Sequence, residues 1–300
     1  MKLLITGAWR FTQEQREILE DMGTEVMFMQ NENDALPEGW EETEGVIGNG
    51  LFLHHDIKKF EKLRYIQLTS AGFDRVPMGY VADRGITIHN ARGVYSIPMA
   101  EFAVCGVLQL LKHSRFFTKS QSLRKWEKDR TIGELFGKTA CVIGCGSVGT
   151  EVAKRFAAFG CEIVGVDLYP RKDENYSVMY ALCELEEALK RSHIVVLTLP
   201  LTEDTKHLVC KNTLCMMNPG TILVNIARGQ IVNTEDLIEA IRCQTISGAA
   251  LDVFEEEPLS SDSPLWEMEN VIITPHNSFV GDGNNNRLWA VIKNNLESYL

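Results

Sequence analysis

The chain has 300 residues, of which 30 are basic and 41 acidic, giving a formal net charge of −11. Such an acidic chain lacks the basic face that displaces counterions from nucleic acid, so we expect no nucleic-acid partner. No apolar stretch reaches the roughly 20 residues that span a bilayer, and the N-terminal apolar run is too short for a signal peptide, so composition favours a cytoplasmic protein without a membrane partner.

Five short apolar runs in the first ninety residues predict five strands. They are KLLITG, EVMFMQ, GVIGN, YIQLTS and ITIHN, and each lies near a helix-like or loop segment. Alternation of this kind is typical of α/β architecture. We therefore expect a small doubly wound domain at the start of the chain.

A long amphipathic segment from about residue 96 to 119 follows and predicts a single helix. Six further strands come next: TACVIG, EIVGVD, HIVVLTLP, TILVNIA, ISGAALDV and NVIITPH. The first five are almost continuously apolar, as strands of a parallel sheet buried on both faces are. A last helix from about residue 287 to 300 could pack on the first domain. The fold class is thus α/β with two doubly wound parallel-sheet domains, one discontinuous (1–92 plus 277–300) and one continuous (93–276).

The motif Gly144-Cys145-Gly146-Ser147-Val148-Gly149 lies between a predicted strand and a predicted helix, and the strand EIVGVD follows. This context supports a dinucleotide-binding fingerprint, in which glycines allow close approach of the pyrophosphate to a helix N-terminus. The alternative is a glycine-rich turn without a ligand. Asp167 ends the second strand and would accept hydrogen bonds from the adenosine ribose, which favours NAD over NADP, although the nearby Arg171 and Lys172 weaken that preference.

Four separated motifs, in order, resemble the D-isomer-specific 2-hydroxyacid dehydrogenase family. They are LTLPLTEDTKHLV, MNPGTILVNIARGQIVNTEDLIEAI, GAALDVFEEEPL and NVIITPH, and the resemblance runs from about residue 70 to 276. It implies a Rossmann cofactor domain inserted into a flavodoxin-like substrate domain, with the active site in the cleft between them. It also implies a homodimer, paired through a segment like residues 96–119.

The resemblance implies three catalytic residues. Arg228 matches the arginine that binds the substrate's carboxylate and 2-oxygen, for which a planar guanidinium is suited. His276 matches the acid/base for that oxygen, and the unperturbed histidine pKa of about 6.5 suits proton transfer near neutrality. Glu257 matches the carboxylate that orients the histidine, with Glu255 and Glu256 as competitors for that role.

Further site residues come from the same motifs. Ser70, Ala71 and Gly72 resemble the loop whose amides hold the substrate carboxylate, and a plain turn is the alternative. Residues 48–52 lie where the family's substrate side-chain pocket would be, but core packing explains Leu51 and Phe52 equally well. The loop has no basic residue for a phosphate. We assign to cofactor binding the residues Gly144, Gly146, Ser147, Val148, Gly149, Asp167, Leu199, Pro200, Ile226 and Asp252, and expect no metal.

These residues predict an NAD-dependent oxidoreductase that interconverts a small 2-hydroxy acid and its 2-keto acid. The alternative is an NAD-sensing, corepressor-like binding protein of the same fold. Glyoxylate, hydroxypyruvate, pyruvate, branched 2-keto acids and 3-phosphoglycerate remain open as substrates. Two departures from the family pattern stand out: an asparagine-rich turn after His276, GDGNNNR, and a chain that stops after its last helix, where we expect no regulatory domain.

Overall fold

The computed structural model describes residues 1–300 and divides them into two compact units. Unit 1 consists of Met1–Tyr95 and Gly281–Leu300, and unit 2 of Ser96–Val280. The chain therefore leaves unit 1 once and returns to it, as the predicted fold class requires. The sequence predicts the two crossings after residues 92 and 276, and the structure has them after Tyr95 and Val280.

Unit 1 contains a five-stranded, all-parallel sheet in the order β2-β1-β3-β4-β5. This is the flavodoxin-like order, so the predicted class of this unit is confirmed. The apolar runs predicted as strands all form strands. Their bounds are β1 Lys2–Thr6, β2 Glu25–Met29, β3 Gly45–Gly48, β4 Tyr65–Leu68 and β5 Thr87–His89.

Four helices belong to unit 1: α1 Gln13–Asp21, α2 Leu51–His54, α3 Met78–Asp83 and α10 Asn284–Tyr299. Helix α10 buries Leu288, Ile292 and Leu296 in the core beside β1. The prediction of an asparagine-rich turn was wrong, because residues 284–286 form the first turn of α10. The buried face of this helix outweighs the weak helix propensity of asparagine, and Arg287 fastens its start by donating to the Val94 carbonyl at 2.7 Å.

Unit 2 contains a seven-stranded parallel sheet in the order β12-β11-β10-β9-β6-β7-β8. Six of these strands follow the Rossmann order, with β12 added at one edge. The bounds are β6 Thr139–Ile143, β7 Glu162–Asp167, β8 Val178–Ala181, β9 Ile194–Leu197, β10 Ile222–Asn225, β11 Gly248–Leu251 and β12 Val271–Ile273. Sequence reasoning missed β8, an edge strand whose residues are all partly exposed and which forms no continuous apolar run.

The helices of unit 2 are α4 Ser96–Leu111, α5 Ser114–Ser122, α6 Ser147–Ala158, α7 Leu185–Lys190, α8 Lys211–Cys215 and α9 Thr234–Arg242. The single helix predicted over residues 96–119 is thus two helices. The break lies at His113, whose φ of 48° is left-handed and cannot continue a right-handed helix. Neither unit contains a helix with the length and apolarity needed to cross a membrane.

Candidate active site

Two glycines of the fingerprint are required by close backbone approach. Gly144 follows β6 with a φ of 98°, and a Cβ there would lie 2.6 Å from the backbone nitrogen of Leu199. Gly149 lies in the first turn of α6, where a Cβ would lie 2.2 Å from the Gly144 carbonyl oxygen. Strand β6, helix α6 and the loop after β9 can therefore meet only because both positions lack a side chain.

The middle glycine leaves space instead. Gly146 is the N-cap of α6 and makes no side-chain capping hydrogen bond, and a Cβ built on it would meet no atom within 4 Å. The helix then begins with Ser147 and Val148, whose amides lie at the positive end of the helix dipole. A helix N-terminus without a side-chain cap, next to a glycine with free space around it, can accommodate the pyrophosphate of a dinucleotide.

Asp167 ends β7 beside this loop. One of its carboxylate oxygens accepts from the Cys145 amide at 2.8 Å, and the other accepts from the Tyr169 amide at 3.0 Å. Arg171 reaches the same loop, because its guanidinium donates to the Cys145 carbonyl at 2.7 Å. An acidic and a basic side chain thus both border the place where the sequence predicts the adenosine ribose.

The cysteine within the fingerprint is structural. Its thiol contacts the carbonyl oxygens of Val142 and Val166 at 3.6 Å each. Burial raises the pKa of Cys145 to about 11, so the group stays a thiol at neutral pH. It fills space under the loop and is no nucleophile.

His276 and Glu257 lie together after β12 and β11. Nδ1 of His276 is 2.8 Å from one Glu257 carboxylate oxygen, and the other oxygen accepts from the Phe254 amide at 3.0 Å. A carboxylate held at both oxygens fixes the orientation of the imidazole. With Nδ1 engaged, Nε2 is the atom available to exchange a proton with a ligand.

The neighbouring glutamate has a different partner. Glu255 accepts from Nε2 of His207 at 2.6 Å and from the Thr234 amide at 2.7 Å. Burial raises the pKa of Glu255, but the hydrogen bonds from Thr234 and His207 outweigh it and leave that pKa below its usual value. Of the three candidate glutamates, the structure therefore places Glu257 beside His276 and Glu255 beside His207, whereas Glu256 is exposed.

Asp252 is completely buried at the end of β11 and holds the segment that carries His276. One carboxylate oxygen accepts from the Thr274 hydroxyl at 2.6 Å and from the Asn277 amide at 2.7 Å. The other accepts from the Ser278 amide at 2.9 Å, and the His276 amide donates to the Asp252 carbonyl at 2.7 Å. This clamp fixes the backbone of His276, whose φ of 51° is left-handed. The role toward the cofactor that the sequence predicts for Asp252 stays a prediction.

Arg228 is exposed between two buried neighbours after β10. Its guanidinium donates to the Ala227 carbonyl at 2.7 Å, and a Cβ on the following Gly229 would lie 1.9 Å from the Phe254 carbonyl. The loop of Arg228 therefore packs directly on the segment of Glu255 and Glu257. Three further residues with predicted cofactor roles lie in unit 2 at neighbouring strand ends: Leu199 and Ile226, which are buried, and Pro200, which is exposed.

The predicted carboxylate loop lies in unit 1, directly after β4. The Ser70 hydroxyl donates to the Gly72 carbonyl at 3.1 Å, and the Asn90 side chain donates to the Ala71 carbonyl at 2.6 Å. No hydrogen bond of the structure uses the amides of Ala71 and Gly72. The loop is thus shaped by bonds to its carbonyls and keeps amide donors for a ligand.

Sequence reasoning missed several supporting residues. Thr198 donates its hydroxyl to the Gly144 carbonyl at 2.6 Å and so fastens the fingerprint to β9. His207 lies within a motif that we recognised, but no local signal pairs it with Glu255, 48 residues away. Such pairs appear only when the strand order is known.

Comparison with known proteins identifies the family. Residues 104–278 match the family model described as D-isomer specific 2-hydroxyacid dehydrogenase, NAD binding domain. The chain is 31% identical to a glyoxylate reductase of Korarchaeum cryptofilum, over 81% of this chain and 76% of that protein. It therefore belongs to the D-isomer specific 2-hydroxyacid dehydrogenase family, as its motifs predict, and the cofactor of its nucleotide-binding unit is NAD.

Three other proteins show how far the similarity extends along each chain. A D-3-phosphoglycerate dehydrogenase of Methanocaldococcus jannaschii is 35% identical over 92% of this chain. The chain spans only 53% of that protein, and 42% of a second D-3-phosphoglycerate dehydrogenase, from Archaeoglobus fulgidus. The crystal structure of a D-lactate dehydrogenase from Aquifex aeolicus, complexed with NAD and lactic acid, is 26% identical with a TM-score of 0.78 and covers 99% of this chain and 95% of that one.

Proposed function

We propose that this protein is an NAD-dependent dehydrogenase that interconverts a small 2-hydroxy acid and its 2-keto acid. The observation that carries the proposal is the 2.8 Å contact between His276 and Glu257, with the second oxygen of Glu257 held by the Phe254 amide. Proton exchange at the C2 oxygen needs an imidazole that is held in a fixed orientation. When bound, NAD supplies or accepts the hydride.

Each residue of the proposed site has a separate role in binding the substrate or in proton transfer. His276 donates a proton from Nε2 to the carbonyl oxygen during reduction and takes it back during oxidation. Glu257 holds the ring through Nδ1 and stabilises its charged form. Arg228, always protonated, binds the carboxylate and the C2 oxygen and stabilises the negative charge that develops there. In unit 1, the free amides of Ala71 and Gly72, with Ser70, are donors for a substrate carboxylate.

The proposal is tested with a panel of keto acids and a matched set lacking the carboxylate. Purified protein is mixed with NADH and hydroxypyruvate, glyoxylate or pyruvate, and the loss of NADH absorbance gives kcat/KM. Hydroxyacetone, which replaces the carboxylate of hydroxypyruvate by a methyl group, is the control. We expect turnover of keto acids and a loss of at least about 100-fold for the control, because a charge-assisted bidentate contact is absent.

A protein that binds NADH but reduces no keto acid would contradict the proposal. That result would favour the alternative of an NAD-sensing binding protein. Equal turnover of hydroxypyruvate and hydroxyacetone would instead contradict the role given to the carboxylate and its ligands.

We also propose that the chain forms a homodimer through α4 and its surroundings. A groove of about 450 Å³ runs along α4 and the end of α6, between Val104, Leu108 and Phe159. Large apolar side chains are exposed in the same stretch of chain, among them Trp126 at 95% and Phe136 at 77%. Large exposed apolar and aromatic side chains are enriched at subunit interfaces. Light scattering of the purified protein should give a molar mass twice that of the chain, and Leu108→Asp should reduce this mass to that of a single chain.

A further inference from the structure

The loops after the strands of unit 1 form a crevice where a ligand is expected. In a doubly wound sheet, ligands bind outside the carboxyl ends of the strands, where the strand order reverses. In this sheet the order reverses at β1, between β2 on one side and β3 on the other. Strand β3 also pairs with β4, and the Thr69 amide donates to the Gly48 carbonyl at 2.9 Å. The crevice therefore adjoins the loop of Ser70.

A carboxylate from this chain occupies the crevice. Glu32, three residues after β2, accepts from the Thr6 hydroxyl at 2.7 Å and from the Asn49 amide at 2.6 Å with one oxygen. Its other oxygen accepts from the Gly50 amide at 2.7 Å. Gly48 permits the approach, because a Cβ there would lie 2.8 Å from the carboxylate. The amide donors of the loop after β3 are thus already bound to an anion.

No cation forms an ion pair with this carboxylate. All three of its donors are uncharged groups, and no ion pair of the structure includes Glu32. One basic side chain approaches this loop: Cδ of Arg75 lies 4.0 Å from the position of a Cβ on Gly50. Arg75 is exposed, so solvent screens its charge more than that of the partly buried Glu32.

We propose that Glu32 selects the substrate by charge and excludes 2-keto acids whose tail is anionic. The inference rests on the proposed function, which places the substrate carboxylate at Ser70, Ala71 and Gly72. The tail then extends toward the neighbouring loop, one strand spacing of about 5 Å away. A phosphate or second carboxylate there meets a negative charge that has no ion-pair partner, and it finds no free amide of Asn49 or Gly50. The substrate class is therefore a 2-keto acid with an uncharged or cationic tail.

The test compares two substrates that differ by a phosphate group at the tail, and the variants of Glu32 and Thr6 separate the effect of its charge from that of its size. kcat/KM with NADH is measured for hydroxypyruvate and for 3-phosphohydroxypyruvate, in the wild type and in Glu32→Gln, Arg75→Gln and Thr6→Val. We expect the wild type to prefer hydroxypyruvate at least about tenfold, since like charges a few ångströms apart repel by this much at a partly exposed site. Glu32→Gln should reduce that preference by raising kcat/KM for the phosphorylated compound.

The two other variants separate charge from loop geometry. Thr6→Val removes one hydrogen bond of Glu32 but keeps the negative charge, so it should keep the preference. Arg75→Gln should also keep it. The proposal is overturned if the wild type reduces both compounds equally well, if Arg75→Gln alone abolishes activity toward the phosphorylated compound, or if Thr6→Val changes the preference as much as Glu32→Gln. If no keto acid of the panel is reduced, the proposed function fails and this inference falls with it, whereas equal reduction of both compounds removes this inference alone.

Discussion

Two histidine–glutamate pairs share one short segment of unit 2. Glu255 pairs with His207 at 2.6 Å, and Glu257 pairs with His276 at 2.8 Å. Both histidines have left-handed backbones, with φ of 52° and 51°. Neither distance nor conformation separates the two pairs, so an imidazole–carboxylate contact by itself does not identify an active site.

The difference lies in what else each glutamate binds. Glu255 also accepts from the Thr234 amide at the start of α9, and the backbone of His207 bonds that of Gln230 at 2.9 Å. Glu255 therefore joins three separate segments. Glu257 binds His276 and, within its own segment, the Phe254 amide. Removing the Glu255 carboxylate breaks contacts between separate backbone segments. Removing the Glu257 carboxylate releases only the imidazole of His276, as expected for a residue that orients this imidazole.

The largest effect should come from replacing the two histidines in turn. His276→Asn removes the proton donor, and we expect kcat/KM for keto-acid reduction to fall about 10²- to 10⁴-fold, the range for general acid–base groups. NADH affinity, measured by fluorescence titration, should hardly change. Asparagine is chosen because it tolerates a left-handed backbone.

His207→Asn is the matched control, since it removes an imidazole from the same backbone conformation. We expect it to stay within about fivefold of the wild type, since a partly exposed pair contributes at most about 1 kcal/mol. Equal losses in the two variants would erase the distinction between the pairs. Full activity of His276→Asn would contradict the proposed mechanism.

The glutamates provide the next largest effect. Glu257→Gln keeps the size of the side chain but cannot stabilise a charged imidazole, so kcat/KM should fall about 100-fold, at the lower end of acid–base contributions. The loss should appear mainly in kcat, because Glu257 is not assigned a substrate contact. Glu256→Gln, an exposed neighbour, is the control and should be unchanged. A larger loss from Glu256→Gln would show that the assignment is wrong by one residue.

The sequence predicts most of unit 2 because its strands are buried on both faces. Five continuous apolar runs and one further run give six of the seven strands, and the missing β8 is a partly exposed edge strand. Gly144 and Gly149 of the fingerprint could also be assigned, because only a missing Cβ allows such close backbone approach. The break at His113 carries no comparable signal, because the apolar positions continue across it.

The site is less predictable than the fold because its bonds join distant residues. Motif spacing favours Glu257 as the partner of His276 but leaves Glu255 and Glu256 as competitors, since a shift of one residue changes the partner. Glu32 shows the same limit: its partner Thr6 ends β1 and its partner Asn49 follows β3, and they meet only because β1 lies between β2 and β3. The sequence alone therefore does not show that a negative charge lies at that crevice.

A smaller effect on activity, but a clear one on stability, should follow from Asp252→Asn. Asparagine offers one acceptor oxygen where the carboxylate uses both, and its amide group would face the donating amide of Ser278. Leaving a buried donor unsatisfied costs about 1–3 kcal/mol, so the free energy of unfolding in urea should fall by this amount. Turnover should fall as well, because the clamp positions His276. A stable variant with wild-type kcat would contradict that positioning role.

The smallest effect on activity should come from Glu255→Gln, and it sharpens the comparison by its pH dependence. kcat/KM should stay within about fivefold of the wild type, as for His207→Asn.

The pKa of Glu255 is lowered from 4.5 in the folded protein, because the hydrogen bonds from Thr234 and His207 outweigh the effect of burial. A lowered folded-state pKa stabilises the protein above the unfolded value, and this stabilisation is lost as the pH falls through the folded value. The wild type should therefore unfold at a higher temperature than Glu255→Gln near neutral pH, and the gap in Tm should close as the pH drops below about 4.5. Glu256→Gln, which lacks such contacts, should show no gap at either pH. A gap that persists in acid would mean that Glu255 stabilises unit 2 by packing rather than by its charge, and a 100-fold loss of kcat would place it with Glu257.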